Sequence, residues 1–260
     1  MKLAIDAGNT DITFGLYGED DWGCLWRIPS KERQARRSWA TRLQTELQEV
    51  GLRPVDLEAV VISSVVPDLN EALMQVMSEE TGRAPLFVGP AIYSHLTIEV
   101  HNPKEMGTDL VANAVAAYDR YRRRCLIVDF GTALTFTTLD DAGKVIGVAI
   151  APGLRTAVKA LFLNAAQLPE VPLEVPDSAL GQDTIHAIQA GVVLGYAGMV
   201  RFLVEQIRSE VGDGLQVIAT GGLSEVLTPI KESFDAIDRL LTLEGLILIE
   251  EQWRRSQQNV

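Results

Sequence analysis

Two short segments of the chain share the same chemistry and lie about half a chain apart. Leu3–Thr10 reads LAIDAGNT, and Leu126–Ala133 reads LIVDFGTA. Each is an apolar run of strand length that ends in an aspartate, Asp6 or Asp129, with a glycine soon after. The aspartate can hold a hydrated cation, and the glycine lets backbone N–H groups approach a phosphate. One copy would be compatible with an ordinary hairpin turn, but two copies indicate two similar halves that face one nucleotide.

A third aspartate, Asp109, is the candidate general base. It follows Gly107 and Thr108 at the start of an alanine-rich stretch with helical spacing, shortly before the second aspartate motif. A hydroxyl that accepts a phosphoryl group needs a carboxylate within hydrogen-bonding reach to take its proton. Aspartate is also a common helix cap, so the residues alone leave a purely structural role open.

Gly221 and Gly222 form a further candidate contact for a nucleotide. They follow the apolar run Leu215–Ala219 and precede a segment with helical spacing. Backbone N–H groups at such a turn can bind a nucleotide, although a glycine pair between a strand and a helix is a weak signal by itself. In the second motif, Thr132 adds a hydroxyl and Asp129 suits a hard cation.

The order of the predicted elements is repeated along the chain. Three strands, a helix, a strand, a helix and a short strand precede a helix over 108–123, and the second half repeats this order closely. We therefore predict an α/β fold of two tandem ribonuclease-H-like domains, with mixed β-sheets flanked by helices and the nucleotide in the cleft between them. The first domain is expected over 1–118 and the second over 119–260, whose last helix could pack back on the first. Near the end of the chain, the patterns predict a helix over 223–232 and a short strand at 240–241.

The charge and the apolar pattern exclude several classes of protein. The chain of 260 residues is 47% hydrophobic and carries a net charge of −12, which argues against a nucleic-acid-binding surface. No apolar run reaches the roughly 18 residues of a membrane helix, and the start does not look like a signal peptide. We expect a cytoplasmic protein that binds neither nucleic acid nor membrane. A P-loop motif and the protein-kinase motifs are absent from the sequence.

Taken together, these motifs resemble those of the type III pantothenate kinases, members of the sugar kinase, actin and heat-shock chaperone superfamily. The resemblance extends in order along nearly the whole chain. Further matching segments are GVAIAPG at 147–153, GQDT at 181–184, AIQAG at 187–191, ATGGL at 219–223 and LTLEGL at 241–246.

The resemblance implies a reaction and a role for each motif. The reaction is the ATP-dependent phosphorylation of pantothenate to 4'-phosphopantothenate, the first step of coenzyme A biosynthesis. Asp109 would accept the proton, Asp6 would bind Mg²⁺, and Asp129 would bind a monovalent cation, K⁺ or NH₄⁺. The residues that would bind ATP and its phosphates are Asp6, Ala7, Gly8, Asn9, Thr10, Asp11, Ile12, Thr13, Thr132, Gly221 and Gly222. Those that would contact pantothenate are Val100, Gly107, Thr108, Asp109, Leu110 and Thr184.

The resemblance also implies a homodimer whose substrate site is completed across the interface. Such an interface would suit the helix that follows Thr184, where Gly191, Gly195 and Gly198 lie near one face.

Two positions depart from the family pattern, and both lie on the acceptor side. The family has arginine where this chain has Leu110, and tyrosine where it has Val100, three residues before Pro103. Loss of a charge-assisted contact to the substrate carboxylate costs about 1.5–3 kcal/mol, or a factor of about 10–150 in affinity. Two alternatives therefore stay open. One is a kinase of another small hydroxylated substrate, and the other is a nucleotide-binding regulatory homologue without kinase activity.

Overall fold

The computed structural model describes residues 1–18, 21–30, 35–165, 167–222 and 228–258. The chain forms two compact units. The first comprises Met1–Ala116 together with Leu241–Val260, and the second is Ala117–Leu240. The last helix, which sequence order had assigned to the second domain, therefore belongs to the first unit. Gly245 in this helix lies so close to the backbone of Ala112 that an added Cβ would be 1.9 Å from the Ala112 carbonyl oxygen.

The first unit contains a five-stranded mixed sheet in the order β3-β2-β1-β4-β5. Its strands are β1 (Lys2–Ala7), β2 (Asp11–Gly18), β3 (Asp21–Pro29), β4 (Ala59–Ser64) and β5 (Leu86–Phe87). Its helices are α1 (Ala35–Glu49), α2 (Pro67–Thr81), the start of α3 (Thr108–Tyr121) and α7 (Leu241–Gln258), with 3-10 turns at Pro54–Asp56 and Pro90–His95. Strand β1 is antiparallel to β2 and parallel to β4, which is parallel to β5. The carboxyl ends of β1, β4 and β5 consequently lie at one edge of the sheet.

The apolar run before Asp6 is buried because helices cover the sheet. Leu3 and Ile5 belong to a core cluster that also contains Trp39 and Leu43 of α1 and Leu73 of α2. Between them, Ala4 is also fully buried, so the strand is apolar on both faces rather than alternating. The middle of the strand is therefore held inside the unit. The residues that could bind a ligand, from Asp6 onward, lie at its carboxyl end.

The second unit repeats this plan with a sheet in the order β10-β9-β6-β7-β8. Its strands are β6 (Cys125–Phe130), β7 (Ala133–Leu139), β8 (Val145–Pro152), β9 (Gln216–Gly221) and β10 (Ala236–Ile237). Its helices are α4 (Leu154–Asn164), α5 (Thr184–Gln189) and α6 (Gly195–Val211), with a π-helical turn at Ala190–Leu194 and a 3-10 turn at Thr228–Ser233. Strand β6 is antiparallel to β7 and parallel to β9, as β1 is to β2 and β4. The predicted pair of mixed sheets flanked by helices is confirmed.

Two local predictions near the end of the chain need correction. The helix predicted over 223–232 lies partly outside the described residues, and its described part is the 3-10 turn Thr228–Ser233. The strand predicted at 240–241 is wrong, because Leu241 begins α7 with its side chain fully buried. The strand of this region is β10, where Ala236 pairs with Ile218 and Ile237 with Ala219.

The continuous helix Thr184–Val211 has 28 residues and is long and apolar enough to cross a membrane by length and composition alone. This differs from the expectation that no apolar segment reaches that length. Its buried side chains Ala197, Val200 and Val204 belong to the core cluster of the second unit. Only 39% of the apolar window is buried, so packing in that core accounts for part of its apolar residues.

Candidate active site

The first glycine turn, Gly8–Thr10, joins β1 to β2 and is held by Ser30. The Gly8 N–H donates to the Asp11 carbonyl at 3.0 Å, and the Ser30 N–H donates to the Thr10 carbonyl at 2.9 Å. The Ser30 hydroxyl donates to the Gly8 carbonyl at 2.6 Å. These bonds fix the turn from the side of β3, while Asn9 and Thr10 are exposed. Ser30 was missed in the sequence, where a small hydroxyl residue directly after β3 gave little signal.

The second glycine turn, Gly131–Thr132, joins β6 to β7 and is held by the segment after β8. The Gly153 N–H donates to the Thr132 carbonyl at 2.9 Å, and the Thr156 hydroxyl donates to the same oxygen at 2.8 Å. A Cβ at Gly153 would lie 2.2 Å from the Gly131 carbonyl oxygen. The close approach explains why a glycine ends the GVAIAPG segment. Thr156 holds a carbonyl of the second turn as Ser30 holds one of the first, and no motif in the sequence marks it.

The two turns are not identical, although the aspartates before them are equivalent. Asp6 pairs with Thr13 across the β1–β2 ladder, whereas Asp129 pairs with Thr135 across β6–β7. The first turn is therefore one residue longer. Both aspartates are half-buried at the ends of central strands, so each carboxylate is positioned by the backbone of its sheet.

Asp129 lies between two threonines on the neighbouring strands. Thr135 of β7 and Thr220 of β9 are both in register with Asp129, and residues paired in this way point to the same face of a sheet. The hydroxyls of both threonines are buried and have no hydrogen-bond partner among the described residues. Gly221 has φ +93° and approaches closely, because a Cβ there would lie 2.7 Å from Asp129 Oδ1. The structure thus brings Gly221 beside Asp129, while Gly222 is exposed in the following turn.

Asp109 is the second residue of α3 and is half-buried. Its Oδ1 accepts a hydrogen bond from the Leu110 N–H at 2.8 Å. Burial raises the pKa of Asp109 above the usual aspartate range, and the backbone hydrogen bonds from Leu110 and Asp109 itself oppose this only in part. A raised pKa improves a carboxylate as a proton acceptor.

The start of α3 is attached to the sheet through Thr108. Thr108 Oγ1 lies 2.8 Å from Ser63 Oγ and accepts a hydrogen bond from the Ser64 N–H at 3.1 Å. Ser63 is fully buried near the end of β4 and pairs with Asp6 across the β1–β4 ladder. Ser63 thus links the end of β1 that carries Asp6 to the start of α3 that carries Asp109, at the same edge of the first sheet.

Tyr93 is a further residue of this region, and no motif in the sequence marks it. Burial raises the pKa of Tyr93 to about 12, and the negative charge of Asp109 contributes in the same direction. Its side chain is buried, and its hydroxyl has no partner among the described residues. The segment GPAIY after β5 gave no chemical signal, because a tyrosine after a glycine-proline turn is usually a packing residue.

The other residues predicted to contact the acceptor differ in exposure. Leu110 is buried and Val100 is half-buried, both in the first unit. Thr184 is an exposed residue of the second unit and the first residue of α5. The N-cap of α5 is Asp183, whose Oδ1 accepts the His186 N–H at 2.9 Å, so Thr184 is not itself the cap.

Comparison with known proteins identifies the family. A family model described as type III pantothenate kinase matches residues 2–206. A type III pantothenate kinase of Moorella thermoacetica is 37% identical over 252 residues, which cover 97% of this chain and 99% of that protein. One of Treponema pallidum (strain Nichols) is 43% identical over 250 residues, which cover 94% and 91%. The solved structure of the (R)-2-hydroxyglutaryl-CoA dehydratase component A of Acidaminococcus fermentans aligns over 96% of this chain and 98% of that one, with TM-score 0.56 and 12% identity.

The structural likeness concerns the fold alone. Two mixed sheets with the same strand plan, each with a glycine turn between its first two strands, define a protein with the fold of two tandem ribonuclease-H-like domains. The sequence comparisons are more specific. The chain belongs to the type III pantothenate kinase family and is a phosphotransferase.

Proposed function

We propose that this protein phosphorylates pantothenate with ATP to give 4'-phosphopantothenate, the first step of coenzyme A biosynthesis. Membership of the family gives the substrate class, and the half-buried carboxylate of Asp109 at the start of α3, whose pKa is raised, is the observation that carries the chemistry. A regulatory homologue without activity would have no use for a shielded base whose pKa is raised.

Asp109 acts as the proton acceptor in this proposal. The primary hydroxyl of pantothenate gives its proton to the carboxylate, and its oxygen forms a bond with the γ-phosphorus of ATP. The bond between that phosphorus and the β,γ-bridging oxygen breaks, and ADP leaves with the electron pair. A positioned base of this kind contributes about 10²–10⁴-fold to the rate.

The first glycine turn and Asp6 belong to the phosphate-donor side. The residues that we assign to ATP and its phosphates are those of the 6–13 segment with Thr132, Gly221 and Gly222. Among the described residues there is no group of three or more His, Cys, Asp or Glu side chains that could hold a metal. Mg²⁺ is usually bound by one or two carboxylates together with substrate phosphates, so Asp6 with the phosphates of ATP fits this ion. The ion neutralises phosphate charge during the transfer.

Asp129 is the proposed ligand of a monovalent cation, K⁺ or NH₄⁺. The buried hydroxyls of Thr135 and Thr220, which have no partner among the described residues, support this assignment. They flank Asp129 in register on both sides and supply the oxygen ligands that a hard cation prefers. The cation would balance negative charge beside the nucleotide.

On the acceptor side, we assign pantothenate to Val100, Gly107–Leu110 and Thr184. The arginine and tyrosine typical of the family are absent at Leu110 and Val100, so the carboxylate of pantothenate is held less strongly. We expect an affinity for pantothenate about 10–150-fold below that of a site with the arginine.

We also propose that the protein is a cytoplasmic homodimer. Strand β8 is at the edge of the second sheet, and its residues Ile146, Val148 and Ile150 are 49%, 42% and 70% exposed. Leu161 and Leu163 of α4 and Phe202 of α6 are exposed apolar residues of the same unit. Several large apolar side chains of this kind are typical of a subunit interface.

The test is an assay of the purified protein with ATP, Mg²⁺, K⁺ and pantothenate. We expect equal amounts of ADP and 4'-phosphopantothenate by mass spectrometry, and a strong decrease when Na⁺ replaces K⁺ and NH₄⁺. Asp109→Asn should lower kcat by about 10²–10⁴-fold while ATP still binds. Binding of ATP by the wild type without phosphorylation of pantothenate would contradict the proposal, and a screen of small alcohols would then identify another acceptor.

A further inference from the structure

Tyr93 combines deep burial with an unused hydrogen-bond donor. The residue lies in the 3-10 turn Pro90–His95, and only 5% of its surface is exposed. Its hydroxyl has no hydrogen-bond partner among the described residues. An unpaired buried hydroxyl destabilises the folded state, and such groups are uncommon in proteins. The fold alone therefore gives no reason for a tyrosine rather than a phenylalanine at this position.

The backbone connects Tyr93 and Asp109 to neighbouring points on β4. The Val88 N–H donates to the Ile62 carbonyl at 2.8 Å, and the turn that contains Tyr93 begins two residues later. The next residue of β4, Ser63, forms the hydrogen bond to Thr108 that holds the start of α3. The charge of Asp109 also raises the pKa of Tyr93, which is the effect expected of a nearby carboxylate.

Within the first unit, the other side chains that we assign to the acceptor, or that attach the start of α3 to the sheet, offer a substrate little polarity. Val100 and Leu110 have no hydrogen-bonding atom in their side chains, and the hydroxyls of Ser63 and Thr108 bond to each other. The Tyr93 hydroxyl is thus a donor on the acceptor side that the folded protein leaves unused.

We infer that Tyr93 is a substrate-binding residue, whose hydroxyl donates a hydrogen bond to an oxygen of pantothenate close to the hydroxyl that Asp109 deprotonates. This inference rests on the proposed function and deepens it. Pantothenate has a second hydroxyl and an amide carbonyl near its primary hydroxyl, and either oxygen can accept this bond. Tyr93 compensates in part for the tyrosine that is missing at Val100. With a pKa of about 12, the Tyr93 hydroxyl stays protonated at neutral pH and remains a donor.

The experiment compares Tyr93→Phe with the wild-type enzyme and with Tyr118→Phe as a matched control. We expect Tyr93→Phe to raise KM for pantothenate about three- to tenfold, with kcat and KM for ATP changed less than twofold, because one neutral hydrogen bond to the substrate is lost. The melting temperature should stay the same or rise, because the hydroxyl has no partner in the free protein. The Tyr118 hydroxyl donates instead to the Asp141 carbonyl at 3.3 Å in the second unit. Loss of this hydroxyl should leave kcat, KM for pantothenate and KM for ATP unchanged.

The possible outcomes separate this inference from the proposed function. An active wild type whose KM for pantothenate is unchanged in Tyr93→Phe would contradict the inference and leave the function intact. A fall in kcat with unchanged KM would also overturn it, because Tyr93 would then act through Asp109 rather than on the substrate. A lower melting temperature with unchanged KM would indicate a structural role. A wild type that does not phosphorylate pantothenate would contradict the function, and the inference with it.

Discussion

Gly107 leaves room for the carboxylate of Asp109. A Cβ at Gly107 would lie 2.5 Å from Asp109 Oδ1, closer than real Cβ atoms come to an oxygen. The Gly107 carbonyl also accepts the Val111 N–H at 3.1 Å, so this residue is the N-cap of α3 as well. The carboxylate is consequently held between the glycine and the Leu110 N–H, in an orientation that any larger residue at 107 would change.

We predict that Gly107→Ala lowers kcat by at least tenfold with little loss of stability. The clash involves the end of a side chain, so Asp109 can rotate away without a shift of the backbone. A base that is displaced by about 1 Å loses about 10²-fold in rate. Steady-state kinetics and thermal unfolding measure the two effects. Gly89→Ala is the control, because a Cβ there meets no atom within 4 Å. Unchanged kcat in Gly107→Ala would contradict the role of Asp109 as base.

The difference in stability between Asp109→Asn and the wild type should depend on pH in a specific direction. The pKa of Asp109 is raised in the folded protein, so the unfolded chain loses this proton first as the pH rises. The free energy of unfolding therefore falls as the pH rises from the unfolded to the folded pKa, and the charged carboxylate costs stability at neutral pH. We expect Asp109→Asn to raise the melting temperature at pH 7.

This gain should disappear at a pH below the ordinary aspartate pKa of about 3.9, where the carboxyl group is protonated in both states. Thermal unfolding at both pH values, if unfolding is reversible, measures the difference. Asp119→Asn is a control on the same helix, where Asp119 forms a surface ion pair with Arg122. Its replacement should not stabilise the protein. An Asp109→Asn variant that is less stable at pH 7 than the wild type would show that burial does not penalise this charge.

The sequence predicted the parts of the fold that depend on local pattern. The strand before Asp6 follows from its apolar run, and the helix predicted over 108–123 from its helical spacing; the structure forms that helix over Thr108–Tyr121. The strand predicted at 240–241 was wrong because a short apolar pair also suits the buried start of a helix. Periodicity cannot distinguish the two over so few residues.

The residues that the sequence missed act through contacts between distant segments. Ser30 reaches Gly8 across the sheet, Thr156 reaches Thr132, and Tyr93 is brought towards Asp109 only by the pairing of β5 with β4. None of these residues has a motif around it. Their roles depend on strand register, which one sequence does not specify. The roles of Asp6, Asp109 and Asp129 themselves remain predictions that the assays above test.

Ser30→Ala and Thr156→Ala should each weaken the binding of ATP. Each removes a hydroxyl that holds a carbonyl oxygen of a glycine turn, at 2.6 Å for Gly8 and 2.8 Å for Thr132. The loss of one such bond costs about 1 kcal/mol, so we expect KM for ATP to rise about three- to tenfold with KM for pantothenate unchanged. Ser209→Ala removes a comparable hydroxyl bond, to the Gln206 carbonyl in α6, and should change neither constant. If KM for ATP does not respond in either variant, the turns do not bind the phosphates.

Leu110→Arg tests whether the acceptor site is a weakened form of the family site. The new guanidinium can form a charge-assisted pair with the carboxylate of pantothenate, so KM for pantothenate should fall by at least tenfold. Leu110 is buried, and the arginine must extend its charged end towards water or substrate, so some loss of stability is expected. Leu110→Met keeps the volume without the charge and serves as the control. If Leu110→Met also lowers KM for pantothenate, the effect comes from packing and not from the new charge.

Ile150→Glu should separate the proposed dimer into monomers. Ile150 is the most exposed of the three apolar residues on edge strand β8, and a carboxylate there must be desolvated when two copies associate. Analytical ultracentrifugation should give twice the chain mass of 28.4 kDa for the wild type and the chain mass itself for the variant. Val55→Glu introduces the same charge at a similarly exposed position in the first unit and should remain dimeric. Both variants add one negative charge, so a difference between them is not an effect of net charge. If Ile150→Glu is still a dimer, β8 is not part of the interface.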